Sequence, residues 1–311
     1  MIVALAGGVG GARLAVGLAS LLLPAHLTIV VNTGDDFEHL GLTVCPDLDT
    51  VMYTLGGLAN PELGWGRADE TWSFMETLGQ LGGETWFRLG DRDLAVHVSR
   101  TRAIAKGERL SEVTRALCRK LAVEHAIIPM SDDPVRTFVD TGAGELPFQD
   151  YFVRRRCEPA VSGFRFAGSE HARVPGVLRE LFDSGQVEAA IVCPSNPYVS
   201  IAPMLAVCEI REWLESRAFP VVAVSPIVGG QAVKGPAAKM MRELGLEASA
   251  SAVARHYGAL VDAWVIDERD AGLAPAIRAL GKHVVVTDTL MTDRSRSREL
   301  ARIAVDLAAR L

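Results

Sequence analysis

Nothing in this chain equips it for a membrane or for an oxidising compartment. No apolar stretch approaches the roughly 18 residues that cross a bilayer, and the start, Met1-Ile2-Val3-Ala4-Leu5-Ala6, lacks the basic segment of a secretory signal and runs into glycines. The five cysteines (Cys45, Cys118, Cys157, Cys193 and Cys208) never form a C-x-x-C pair. A disulfide framework or a structural zinc site is therefore not expected, and a reducing cytoplasm fits best. Positive charge is also short: the formal net charge is −6, which argues against general nucleic-acid binding. The basic clusters Arg154-Arg155-Arg156 and Arg294, Arg296 and Arg298 read as solvated helix faces. The seven histidines show no metal-ligand spacing, and no G-x-S-x-G elbow is present. Covalent catalysis is not indicated.

What is present is an alternation of short apolar runs with helical patterns. Ile2–Ala6 and Leu27–Val31 are continuous apolar runs of the kind that form buried parallel strands, and residues 12–22 between them place Leu14, Leu18, Leu21 and Leu22 at helical spacing. Further strands are expected at 189–193, 221–224, 263–266 and 283–287, with helices at 202–216, 237–244, 250–257, 273–280 and 296–311. The fold class is α/β, a doubly wound, mostly parallel, Rossmann-like sheet. The middle of the chain differs. Tryptophan and arginine are frequent there, and helical patterns at 71–81 and 111–121 dominate, the second with Ser111 as an expected N-cap. The expected division is a nucleotide-binding core of residues 1–55 and 174–311. A mainly helical insertion of residues 56–173, with a few short strands, would cover its binding edge.

Two consecutive strand ends carry unusual loops. After the first comes Gly7-Gly8-Val9-Gly10-Gly11-Ala12-Arg13; after the second come Asn32-Thr33-Gly34-Asp35-Asp36 and then Cys45-Pro46-Asp47-Leu48-Asp49-Thr50. The glycine turn is not a P-loop, because it lacks Gly-Lys-Ser/Thr. It is not a dinucleotide fingerprint either, because Arg13 stands where the third glycine belongs and strand two ends in Asn32 rather than an acid. A phosphate site built from the N–H groups of Gly8, Val9, Gly10 and Gly11 remains sound, with Arg13 able to add a charge-assisted contact. The glycines also have a plain use in a tight turn. Asp35, Asp36, Asp47 and Asp49 are hard oxygen donors beside that turn, which suits Mg²⁺ completed by water and substrate phosphate. Helix capping is common enough to claim Asp47 or Asp49.

Later strand ends add Pro194-Ser195-Asn196-Pro197, Ser225-Pro226-Ile227-Val228-Gly229-Gly230 and Lys234-Gly235-Pro236. Ser195 and Asn196 suit recognition of a nucleobase or ribose, and Lys234 suits phosphate charge. All these loops fall at strand carboxyl ends, where open α/β sheets bind ligands.

At these residues the chain resembles the CofD family, the 2-phospho-lactate transferases of deazaflavin coenzyme F-420 biosynthesis, called FbiA in actinobacteria. The matching stretches are the glycine turn, the Asn32 and Cys45 loops with Gly56-Gly57, Gly64-Trp65-Gly66, Leu89-Gly90-Asp91-Arg92-Asp93, Ser195-Asn196-Pro197 with Ser200-Ile201, Ser225-Pro226-Ile227, and Leu290-Met291-Thr292-Asp293. They run in family order across nearly the whole chain. Pro203-Met204-Leu205 and Cys208-Glu209 depart from the family pattern.

The resemblance implies transfer of a phospho-organic acid (lactyl, enolpyruvyl or glyceryl) from its guanosine diphosphate conjugate to the ribityl hydroxyl of Fo, with release of GMP. It implies Mg²⁺ held by Asp35 and Asp49 with Asp47 behind them, and Asp36 orienting the Fo hydroxyl. Asn32, Thr50 and Ser225 join the substrate-binding positions, and Tyr53 and Trp65 supply an apolar wall for the deazaflavin. The partners implied are these small molecules and a second copy of the chain, with no nucleic acid and no membrane. Two rivals remain: a non-catalytic nucleotide-sugar-binding regulator that shares the glycine turn, and a nicotinamide-dependent oxidoreductase.

Overall fold

The computed structural model describes residues 1–61 and 64–311. Its centre is a seven-stranded sheet of β1 (Ile2–Ala6), β2 (Leu27–Val31), β3 (Ala126–Pro129), β4 (Ala189–Val192), β5 (Val221–Val224), β6 (Ala263–Asp267) and β7 (His283–Thr287). The strands lie in the order β7-β6-β5-β4-β1-β2-β3, every pair parallel. All residues of β1, β2 and β4 are buried. This is why they read as unbroken apolar runs, since both faces of a parallel sheet are covered.

Alternation within β1 divides the core. Val3 and Leu5 face one hydrophobic cluster, while Ile2, Ala4 and Ala6 face the other. Helices α1 (Gly8–Ala19), α2 (Pro46–Leu55) and α4 (Arg294–Ala308) supply the second face, and α3 (Asp91–Ala105) packs alongside. The chain runs outward from β1 to β3, then crosses back to β4 and continues to β7. The order therefore reverses between β1 and β4, and the loops leaving those two strands open a crevice at their carboxyl ends.

Three expectations need correction. Ala126–Pro129, expected inside the insertion, is the edge strand β3, paired with β2 from Thr28↔Ala126 to Val31↔Pro129. Four residues carry too little periodicity to separate such a strand from its helical surroundings. The rest of the middle region combines helices Ser73–Gln80, α3 and Leu110–Lys120 with an antiparallel sheet of Arg136–Thr141, Gly144–Pro147 and Val161–Ala167. Ser111 is not an N-cap. It lies inside its helix, and its N–H and hydroxyl donate to Asp132 at 2.7 and 2.9 Å. The helix expected over 202–216 is two, Ala202–Ala206 and Cys208–Glu215, separated at Val207, whose backbone is extended.

Helix α1 is held against α4 at close quarters. A methyl group on Gly17 would meet the Ser297 carbonyl and approach Ala301 Cβ to 3.1 Å. Gly17→Ala therefore costs about 1–3 kcal/mol through overpacking, more than the ~1 kcal/mol helix propensity returned. Gly79→Ala, with only an ordinary 3.5 Å contact to Thr85, is the control and should hold or raise stability. Thermal melts of the two variants should move in opposite directions; equal melts would refute the close packing.

Candidate functional site

The site begins where β1 ends. Gly7 is extended and Gly8 adopts φ 62°, a left-handed conformation that favours glycine. A side chain on Gly10 would strike the Pro194 carbonyl, and one on Gly7 would lie 2.7 Å from Asp47 and Ser200. These glycines thus allow three loops to converge, beyond permitting a turn. Ser195 Oγ accepts from Gly7 N–H at 2.9 Å and donates to the Gly7 carbonyl at 2.8 Å, tying the end of β4 to the end of β1. The first N–H groups of α1 have no acceptor within the helix, so the positive end of its dipole is open to an anion.

The loop after β2 brings carboxylates to that end. Asn32 Oδ1 accepts from Gly34 N–H at 2.8 Å, and Asn32 Nδ2 donates to Asp47 Oδ2 at 2.9 Å. Asp47 Oδ1 accepts from Gly8 N–H at 2.8 Å. Burial raises the Asp47 carboxyl to about 6 in spite of those two donors. Asp35 is raised well above the usual range, by burial first and then by the Asp47 charge, and its Oδ1 has no hydrogen-bond partner. Buried, mutually repelling carboxylates with an orphaned oxygen are a donor set matched to a hard cation. Asp35 and Asp47 are the two that fit.

Asp49, expected as a leading metal ligand, is instead the counter-ion of Arg100. The guanidinium is 1% exposed and forks both Asp49 oxygens. Burial opposes the charge on Arg100, but Asp49 outweighs it and raises the guanidinium's pKa. Asp49, Asp93 and His97 each place a ligand atom within 4.8 Å of the others, yet Arg100 Nη1 also lies 3.2 Å from His97 Nδ1. That cluster already contains its cation. Asp36, expected to orient a hydroxyl, lies behind the wall of the cavity, where the Cys45 thiol donates to it.

The resulting cavity holds about 480 Å³. Gly8, Val9, Gly10, Asp35, Asp47, Asp49, Thr50, Tyr53, Trp65, Ser195, Asn196 and Lys234 reach its wall. Lys234 lies over Gly64 at the mouth, and Asn196 Oδ1 is engaged by Tyr198 N–H at 3.0 Å. Besides Asp36, four expected residues do not line it. Arg13 donates to the Met291 carbonyl at 2.7 Å, Ser225 closes a turn with Ile227, Gly11 packs on Ser195, and Asn32 acts through Asp47.

The apolar part of the wall is Trp86 with Phe87, ring centres 5.8 Å apart, and the stacked pair Phe148 and Phe152 at 5.3 Å. Tyr53 is a buried support whose hydroxyl donates to Asp93 at 2.6 Å. Sequence reasoning assigned no role to Asp93, His97 or Arg100. Their spacing along α3 was the available signal, since i, i+4 and i+7 fall on one helix face.

Burial lifts Asp36 from 3.8 to about 7, against the Cys45 donor and the charges of Arg136 and Arg100. Between those values the folded state keeps a proton that the unfolded chain has lost, so this group lowers stability as pH rises from about 4 to 7. Asp36→Asn should therefore stabilise the chelator-treated protein near pH 8, by at most about 4 kcal/mol, and leave it unchanged near pH 4. Denaturant titrations at the two pH values check this; a variant less stable at the higher pH would show Asp36 to be charged and well paired.

Comparison with known proteins agrees with this architecture. Residues 2–307 match the family described as "2-phospho-L-lactate transferase CofD". A phosphoenolpyruvate transferase of Streptomyces griseus is 45% identical over 99% of this chain and 98% of its own. A 2-phospho-L-lactate transferase of Methanosarcina mazei is 39% identical over 96% and 97%. Among solved structures, a UPF0052-family protein of Bacillus halodurans superposes with a TM-score of 0.64 at 14% identity, over 98% of each chain, a likeness of fold. The chain is thus a transferase, and it belongs to the CofD family.

Proposed function

We propose that this protein transfers a phospho-organic acid from its guanosine diphosphate conjugate to the terminal ribityl hydroxyl of the deazaflavin Fo. The observation that carries the reading is one cavity with two unlike halves. Helix N-terminal N–H groups and cation-seeking carboxylates form one part, and Trp86, Phe87, Phe148 and Phe152 form the other. A diphosphate suits the first and a flat tricycle suits the second. Higher identity to the phosphoenolpyruvate transferase than to the 2-phospho-L-lactate transferase supports enolpyruvyl as the acid carried.

In this reading the hydroxyl oxygen attacks the distal phosphorus, the bond from that phosphorus to the bridging oxygen breaks, and GMP departs with the proton the hydroxyl gives up. The N–H groups of the first turn of α1 beyond Gly8 receive the diphosphate, with Lys234 adding positive charge from the cavity wall. Asp35 and Asp47 would hold Mg²⁺, which would neutralise charge on the diphosphate. Ser195 ties the end of β4 to the glycine-bearing end of β1 and thereby keeps the cradle open. The protein supplies position and electrostatics, which is most of what phosphoryl transfer requires.

Mass spectrometry of the product from Fo and each guanylylated acid should show the enolpyruvyl diester; absence of any diester would favour a binding-only regulator. Calorimetry should record binding of GDP and none of NAD, and the reverse would point to an oxidoreductase. Asp35→Asn and Asp47→Asn should each lower turnover by orders of magnitude while the fold persists by circular dichroism. Full activity in excess chelator would remove the cation from the scheme.

A further inference from the structure

Helix α3 presents Asp93, His97 and Arg100 on one buried face, 8%, 1% and 1% exposed. A guanidinium can only donate. His97 Nδ1, 3.2 Å from Arg100 Nη1, must therefore accept, which leaves the ring proton on Nε2. Nε2 faces Asp93 Oδ2 at 3.3 Å, and the Tyr53 hydroxyl donates to Asp93 Oδ1 at 2.6 Å. The result is a directed chain: Arg100 donates to Asp49 on one side and to His97 on the other, Tyr53 donates to Asp93, and His97 Nε2 sits beside Asp93 at ion-pair distance with no hydrogen-bond partner of its own. Asp93 keeps free lone pairs on both oxygens and reaches the cavity wall with Trp86 and Phe87.

The charge of this group decides what it can receive. Two carboxylates share one guanidinium, whose Nη1 and Nη2 are taken by Asp49 and His97 while Nε has no partner. The cavity face of the group is therefore an acceptor with negative charge. It repels phosphate and attracts a neutral donor such as an alcohol. Burial works against ionisation of Asp93, but the donors from His97 and Tyr53 with the Arg100 charge prevail and hold its pKa below the usual value.

We propose that Asp93 is the carboxylate that accepts a hydrogen bond from a hydroxyl of the acceptor, and that His97 and Arg100 are positioning residues that fix its aim. This rests on the transferase reading for the identity of the acceptor, and it gives the hydroxyl a partner on the cavity wall that Asp36 does not supply. The interaction is orientation of the nucleophile, with no covalent step at Asp93.

Two measurements test it. Nitrogen-15 NMR of the histidines in the unliganded wild type should show His97 as the Nε2–H tautomer, and an Nδ1–H ring would overturn the chain. Direct titration of Fo by its fluorescence should show at least tenfold weaker binding to Asp93→Asn and His97→Leu. His97→Gln, which keeps a side-chain N–H donor, should recover most of the affinity, and GDP binding should be unchanged in all three. Wild type that binds Fo no better than Asp93→Asn, both binding well, overturns this inference alone. Wild type that binds no Fo at all overturns the acceptor reading and this inference with it.

Discussion

The structure depends on how it accommodates buried negative charge with almost no buried positive charge. Asp35, Asp36, Asp47, Asp49 and Asp93 are all at most 8% exposed, and Arg100 is the one arginine or lysine as deeply buried among the described residues. Removing a carboxylate from water is costly unless donors or charges replace its hydration. Each aspartate meets that requirement differently. Asp49 takes the guanidinium, Asp93 takes Tyr53 and His97, and Asp47 takes Asn32 and Gly8. Asp36 has a thiol donor and a raised pKa, and Asp35 Oδ1 has no partner. Local deficits of this kind are tolerated where function uses them.

The rest of the fold positions these aspartates. The reversal of strand order between β1 and β4 leaves two loops free to meet, and Ser195 locks them with a reciprocal pair of hydrogen bonds. The glycines carry this convergence, because any Cβ at Gly7 or Gly10 would meet a neighbouring loop. Helix α2 follows directly from the Cys45 loop and fixes Asp47 and Asp49 in its first turn and Tyr53 one turn beyond Asp49. Helix α3 then supplies Arg100 from outside the minimal α/β core. The middle segment therefore completes the electrostatics of the site as well as covering it.

Much of this was legible in the sequence, for definite reasons. Unbroken apolar runs mark parallel strands, so six of the seven strands could be read directly; β3 could not, because Ala126–Pro129 is short and follows two strong helices. The clustering of glycines and aspartates at strand ends was likewise visible. Invisible were the pairings that decide each residue's role. Arg13 looks like a phosphate ligand until Met291 claims it, and Asp49 looks like a metal ligand until Arg100 arrives from a helix much farther along the chain. A residue's type and neighbours in sequence set what it can do; its partner in space selects which of those it does.

The contact between Asp47 and Gly8 illustrates how the two halves of the chemistry are joined. The N–H that begins α1 is part of an anion cradle, yet it already donates to a carboxylate. In the reaction proposed here, a diphosphate approaching the remaining N–H groups meets Asp47 and Asp35, whose raised pKa values mark how poorly this site tolerates negative charge. Like charges at such separation in a poorly solvated site repel strongly. Hard cations reverse the sign of that interaction, because one ion can bind carboxylate and phosphate oxygens together. In that proposal, occupancy of the cradle and of the carboxylates would be a single event, and removing the cation would leave the same aspartates opposing the nucleotide's phosphates.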